Sequence, residues 1–524
     1  MFYSEKEDTF IKGTALLAVS GMVVKLLSAA YRIPLTRMIG AEGMGKYSAA
    51  FNIFMPFFSL AVAGITPAVS RLTAVQKAGD RATYTAIRNK AAITFGLLSV
   101  FLMVTAVITA WVYSQSIESP IIFTGVLLLC PNLFFATFEA VHKGISQGSL
   151  NMAVTAKASL LESSAKLIVG ITTVYLAGVM VKNNRAETQL ICAFATISIC
   201  GFICFVYMNA DFRKHCSADT ADIKIKSSTL LSMAVPVSLS ALVVSLANFF
   251  DTVICLSIVK GISDYDLMAA YPFVSFFAED EKAIWLFGVY QGLCLSVFNL
   301  IPSLSSAVGA SGLPYITRDI TAGSENLQAR TNRLVRITAF LVVPVSLFVF
   351  FFPGEVLVTL YGDRGAQTTL AACFLRYMAP VAILSAMSFP MNSILHAGQK
   401  SCHILKILSV ACGIKVVLGS WLCSQKQINI MGCIISQIVF HIIVFVLSVL
   451  AVKGTSPGTQ VVSRLIVPIS VAYLLLTFLR FFADFVLYTV PTVFKTFLCG
   501  GFFVVVYVTI FLFIGFFVDN GVQK

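Results

Sequence analysis

Charged residues are scarce in this sequence. Lys, Arg, Asp and Glu make up only 12% of the 524 residues, whereas an ordinary soluble domain carries about 25%. Apolar runs of about 20 residues recur along the whole chain instead, and the mean hydropathy is +0.89. This composition excludes a soluble globular domain and predicts an all-α polytopic membrane protein.

Long polar segments and catalytic groupings are missing as well. No stretch between the apolar runs is much longer than about 20 residues, which is well short of a folded domain. The chain has five histidines, and we find no His-Asp, Ser-His or clustered-carboxylate arrangement with enough loop to position it. We therefore predict that the chain is not an enzyme.

The positive charge and the cysteines have simple interpretations. The formal net charge is +13, but the basic residues cluster at the ends of apolar runs and form no single patch, so we expect no nucleic-acid partner. Most of the 13 cysteines lie inside apolar runs. They are interpreted as small buried hydrophobic residues, not as a disulfide or metal framework.

The apolar runs predict about fourteen transmembrane helices. Their approximate bounds are 13–38, 45–70, 91–113, 120–141, 158–181, 188–210, 229–259, 283–312, 337–353, 366–395, 404–423, 428–451, 465–479 and 496–518. More than half of the 37 Lys and Arg fall in loops on the side of the N-terminus. The positive-inside rule then predicts that both termini, and the loops near residues 80, 220 and 325, are cytoplasmic.

Internal repetition indicates a duplicated architecture. Pro67–Arg71 and Pro314–Arg318 share a P-x-[VI]-[ST]-R pattern, and Lys166–Gly170 repeats as Lys415–Gly419. These matches predict two homologous six-helix lobes, followed by an extra helix pair. The predicted domains are 1–215, 216–456 and 457–524. Parallel repeats of this kind are typical of transporters that work by alternating access between the lobes.

A few charges fall inside the predicted spans. The cations are Lys25, Arg32, Lys166, Arg376 and Lys415, and the acids are Glu139, Glu162 and Asp251. Charged groups at membrane depth are costly and usually face a bundle interior or a water-filled cavity. The excess of cations over acids favours an anionic substrate.

Five stretches resemble one protein family. They are "YRIPLTRMIGAEGMGKY" (31–47), "AGITPAVSRLTA" (63–74), "KGISQGSLNMAVTAKASLLESSAK" (143–166), "LANFFDTV" (246–253) and "HAGQKSCHILKILSVACGIKVV" (396–417). They are similar to the stage V sporulation protein B-like polysaccharide exporters, which belong to the multidrug/oligosaccharidyl-lipid/polysaccharide flippase superfamily. The resemblance implies fourteen helices in two lobes. It also implies flipping of an undecaprenyl-pyrophosphate-linked precursor, such as lipid II, across the cytoplasmic membrane.

The deep cations then become candidates for binding pyrophosphate. Lys25 and Arg32 are seven residues apart, nearly two helical turns, and share one helix face. Arginine offers a planar fork to phosphate and lysine a point charge. Lys415, Arg376 and Lys166 are the further candidates. The competing interpretation is that such a residue reaches the interface or pairs with an acid.

Two of the deep acids have alternative roles. Glu162 precedes Lys166 by four residues, which is the favourable order for a helical ion pair. Asp251 and Asn248 share a helix face and predict either a sodium or proton site or a counter-charge to the cations of the first span. We favour the counter-charge.

Two other functions are compatible with these features. The first is a cation-coupled multidrug exporter of the same superfamily, and the second is an integral-membrane transferase acting on polyprenyl-linked glycans. We expect a monomer in the bilayer that carries a polyprenyl-linked glycan lipid and has no cofactor. Coupling to Na⁺, to H⁺ or to the membrane potential stays open.

Overall fold

The computed structural model describes residues 2–75, 81–181, 184–215, 226–272, 281–321, 327–398, 400–453, 460–487 and 489–513. Within these ranges all regular structure is helical. The α-helices, in chain order, are α1 Phe2–Val62, α2 Ile65–Val75, α3 Arg81–Ile117, α4 Pro120–Gly148, α5 Met152–Ala165, α6 Ile171–Met180, α7 Arg185–His215, α8 Ser227–Lys260, α9 Asp264–Ala270, α10 Lys282–Gly288, α11 Leu295–Thr321, α12 Leu327–Phe351, α13 Pro353–Tyr361, α14 Ala366–Ala397, α15 Ser401–Cys423, α16 Met431–Lys453, α17 Val461–Phe485 and α18 Thr492–Phe513.

The first helical stretch contains two crossings. Thirteen stretches of the described chain are long and apolar enough to span a membrane, and the first, Val19–Val75, has 57 residues. A straight helix of that length would measure about 85 Å, whereas the hydrocarbon core is about 30 Å thick. Gly40 breaks it with a φ of 73°, a conformation that glycine adopts without a steric penalty. Counting two crossings here gives the predicted fourteen.

In the part of the chain that the structure describes, two spans contain a π-helical turn. Lys166–Gly170 separates α5 from α6, and Val289–Cys294 separates α10 from α11. Such turns are rare and frequently occur at functional sites. Both segments contribute to the site described below.

The helices pack into two compact units. Met1–Gly292 and Leu408–Ser436 form the first unit, and Leu293–Ile407 and Gln437–Lys524 form the second. One hydrophobic cluster of the first unit joins residues such as Ile65, Ile87 and Val141. The core of the second unit includes Val343, Met387 and Phe503.

The predicted fold class is confirmed as an all-α polytopic membrane protein. The lobes at 1–215 and 216–456 with the helix pair at 457–524 stay a prediction. The loops predicted to be cytoplasmic near residues 80, 220 and 325 lie outside the described residues.

Candidate substrate-binding site

Arg32 is the central cation of the candidate site. It lies half-buried on α1, and its Nη2 donates a hydrogen bond of 3.1 Å to the main-chain carbonyl of Gln291. Its Nε is buried and has no hydrogen-bond partner among the described residues. Within that same part of the chain, no carboxylate contacts the guanidinium. Among the described residues, therefore, no acid compensates the positive charge of Arg32.

Close backbone packing brings Gln291 to Arg32. A Cβ at Gly288 would meet the carbonyl oxygen of Ala41, and a Cβ at Gly45 would meet the carbonyl oxygen of Ile284. Glycine at these two positions lets α10 approach the second half of α1 more closely than any side chain would allow. The π-helical turn that follows α10 then presents the carbonyl of Gln291 to the guanidinium.

Lys166 is the second cation of this group. It opens the other π-helical turn and forms the predicted ion pair with Glu162, with Nζ 2.7 Å from Oε1. The pair is partly accessible, with 31% of the Lys166 side chain and 24% of the Glu162 side chain exposed. The charges of Lys166 and Arg32 both act on the hydroxyl of Tyr47. Both cations therefore lie within electrostatic range of one phenol.

A neighbouring tyrosine adds polar capacity. Tyr31 is buried against Gly170 in the π-helical turn, and its hydroxyl has no hydrogen-bond partner in the described chain. Its phenol lies within electrostatic range of that of Tyr47. We define Arg32, Lys166, Tyr31 and Tyr47 as the first-unit cation cluster.

Glu139, another acid inside a predicted span, also has a lysine partner. Lys143 Nζ lies 2.5 Å from Glu139 Oε1 on α4. Glu139, Glu162 and Cys204 place ligand atoms within 4.8 Å of one another, a grouping that could hold a metal ion. The charges of both Glu139 and Glu162 act on Lys143. Because this ammonium and that of Lys166 already balance the two carboxylates, the grouping has no charge deficit that a metal ion would fill.

Asp251 and Lys415 form a deeply buried ion pair, with less exposure than the other ion pairs given above. Lys415 Nζ on α15 lies 3.1 Å from Asp251 Oδ2 on α8, and only 3% and 5% of the two side chains are exposed. The expectation that Asp251 balances the cations of the first span is therefore wrong, because its carboxylate meets a lysine from another helix. Likewise, Lys415 lacks an acid on its own helix but receives one through tertiary packing.

The other predicted site residues lie elsewhere. Lys25 is exposed on α1, two turns before Arg32. Asn248 is half-buried on α8. Arg376 is exposed in the second unit, with its guanidinium 5.9 Å from the centre of the Phe350 ring. Their roles as substrate-binding or ion-coupling residues stay predictions.

Sequence reasoning missed three residues of the site. Tyr47 lies at the end of a quoted family-like stretch, but its hydroxyl gave no signal of its own. Gln291 contributes a main-chain carbonyl, which any residue type can supply. Lys143 lies just beyond the predicted span 120–141, but its spacing of four residues from Glu139 allows the observed ion pair.

Comparison with known proteins agrees with this architecture. Residues 10–318 match the family model described as "Polysaccharide biosynthesis protein", and residues 291–421 match the MatE family model. Stage V sporulation protein B of Bacillus subtilis (strain 168) is 24% identical over 466 residues, covering 86% of this chain and 85% of that protein.

Two comparisons concern lipid II flippases. Lipid II flippase MurJ of the same bacterium is 22% identical over 435 residues, covering 78% of this chain and 76% of that protein. A solved structure titled "Lipid II flippase MurJ, inward closed conformation" superposes with a TM-score of 0.70 at 13% identity, covering 95% of this chain and 98% of that one.

Proposed function

The chain belongs to the polysaccharide biosynthesis protein family, and from that membership we propose that it is a flippase for a polyprenyl-pyrophosphate-linked glycan precursor. Its substrate class would be lipid II-like cell-wall or polysaccharide intermediates linked to undecaprenyl pyrophosphate. It would work as a monomer in the cytoplasmic membrane by alternating access between two lobes, with both termini in the cytoplasm. It is a multi-pass membrane transporter of the multidrug/oligosaccharidyl-lipid/polysaccharide flippase superfamily, and not an enzyme.

The observation that carries the proposal is the charge balance of the first unit. Each of the three deep acids has a lysine partner: Glu139 with Lys143, Glu162 with Lys166, and Asp251 with Lys415. Arg32 has no such partner among the described residues, so a positive charge remains at the cluster. In a low-dielectric site an uncompensated guanidinium favours an anionic group, and its planar fork suits phosphate.

An apolar groove supports a lipid-linked substrate. The second unit has a cavity of about 340 Å³ between α12 and α18, lined by Phe340, Leu341, Pro344, Val345, Phe348, Gly500, Phe503, Val504, Tyr507 and Val508. We expect the groove to hold part of a polyprenyl tail. This cavity combines the predicted span 337–353 with the predicted span 496–518.

Complementation tests the proposed function. A strain depleted of its lipid II flippase should grow when it produces this protein and should stop accumulating lipid-linked precursors. The matched variants are Arg32→Ala and Arg37→Ala, because Arg37 is an exposed arginine on the same helix. We expect Arg37→Ala to complement and Arg32→Ala to fail at equal protein levels. Failure of the unaltered protein to lower precursor levels would contradict a lipid II-like substrate.

The second candidate function is a cation-coupled multidrug exporter. The MatE family match at residues 291–421 favours it. Such a pump needs a carboxylate that is available to a cationic drug or coupling ion, whereas the three deep acids each face a lysine. Resistance of producing cells to cationic drugs, lost in Asp251→Asn, would favour the exporter over the flippase.

A further inference from the structure

The Asp251–Lys415 pair is buried within the first unit. The ammonium is 3.1 Å from the carboxylate, and both side chains are almost fully buried. Gly419, one turn beyond Lys415, packs against Ser436, and a Cβ on it would lie 3.9 Å from Asp251 Oδ1. Cys255, one turn further along α8, is fully buried as well. The cation that balances Asp251 is therefore part of the protein.

Either the Lys415 ammonium or a diffusible cation can balance the charge of Asp251, but not both at once. A buried carboxylate needs a counter-charge, and removing its partner typically costs about 3–5 kcal/mol. Na⁺ would bind the carboxylate oxygens of Asp251, one of which already contacts Lys415. Two cations beside one carboxylate would leave an excess positive charge in a low-dielectric environment, which is unfavourable.

We propose that Lys415 is a tethered counter-cation that occupies the position a coupling cation would take at Asp251. The site becomes an alkali-cation site only when the lysine is removed. The inference goes beyond the proposed flippase function, because it holds for any substrate. In a transport cycle it leaves the membrane potential, or H⁺ bound elsewhere, to drive the process.

The test measures the stability and cation binding of the purified full-length protein in detergent. Its Tm should be the same in NaCl and in choline chloride at equal ionic strength. Lys415→Ala should lower the Tm by several degrees in choline chloride, because Asp251 loses its partner. NaCl should restore part of the loss, because a ligand bound only to the folded state stabilises it, and the variant should bind ²²Na⁺.

Lys426→Ala is the matched control. Lys426 pairs with Asp266 in the same unit at 3.5 Å, but 74% of its side chain is exposed. Exposed pairs contribute only about 0–1 kcal/mol, so this variant should keep its Tm in both salts. If Lys415→Ala does not fold, the double variant Asp251→Asn/Lys415→Met provides the second test. It removes both charges, and should fold with a Tm that does not depend on the cation.

Three results would overturn the assignment. The first is that Na⁺ raises the Tm of the unaltered protein, or that this protein binds ²²Na⁺, and that Asp251→Asn abolishes the effect. The second is a Lys415→Ala protein that stays as stable as the parent in choline chloride. The third is a double variant that fails to fold, since Lys415 would then have a role other than charge balance. None of these readouts requires lipid transport, so they are independent of the proposed function.

Discussion

Arg32 provides the sharpest test of anion binding. In Arg32→Ala the cluster loses its uncompensated charge and the donor to the Gln291 carbonyl. One hydrogen bond to a charged group contributes about 1.5–3 kcal/mol. If Arg32 makes one such hydrogen bond to a substrate phosphate, the loss of this bond weakens substrate binding roughly 10- to 150-fold. We therefore expect the KM for a pyrophosphate-linked lipid to rise by that factor.

The conservative variant separates charge from shape. Arg32→Lys keeps a cation but loses the planar fork, so we expect an intermediate KM. Flipping of a fluorescent polyprenyl-pyrophosphate glycan in proteoliposomes is the assay, and Arg37→Ala is the control for losing an arginine from α1. The Tm of each protein is measured in parallel, because the bond from Arg32 to Gln291 also joins two helices.

Two results would refute this reasoning. An Arg32→Ala protein with the parent's KM would show that the guanidinium does not contact substrate. Restoration of transport by adding Asp251→Asn to Arg32→Ala would show that Arg32 serves only as a counter-charge. We expect no such restoration, because Asp251 pairs with Lys415, and the double variant should be at least as impaired as the worse single variant.

Three further predictions concern other parts of the chain. Lys25→Glu should reduce flipping more than Lys25→Ala, because it sets an anion against an anionic substrate; equal rates would remove Lys25 from the site. Gly500→Leu should obstruct the apolar groove and slow transport, whereas Gly501→Leu, where a side chain meets open space, should not; equal transport rates of the two variants would argue against tail binding there. Cysteines introduced at residues 268 and 363 should react with an impermeant reagent from outside the cell, and protection of both would reverse the predicted topology.

Local spacing explains the parts of the site that were predictable from the sequence. The pair of Glu162 and Lys166 needs only a spacing of four residues on one helix, and it is present. The positions of the spans follow from hydropathy, because a helix must be apolar over the thickness of the bilayer. The charges at depth follow from the same pattern, since any ionisable residue within an apolar run stands out.

Packing between helices decided the rest. Asp251 lies on α8 and Lys415 on α15, and hydropathy contains no information on which helix faces which across more than 150 residues of chain. Arg32 meets Gln291 because glycines at 45 and 288 allow two backbones to approach closely and a π-helical turn follows. Spacing along one helix determines which residues share a face. Which helix packs against that face depends on the shapes of all the helices around it. The ion pairs between helices, and with them the charge balance of the site, are therefore determined only by the tertiary structure.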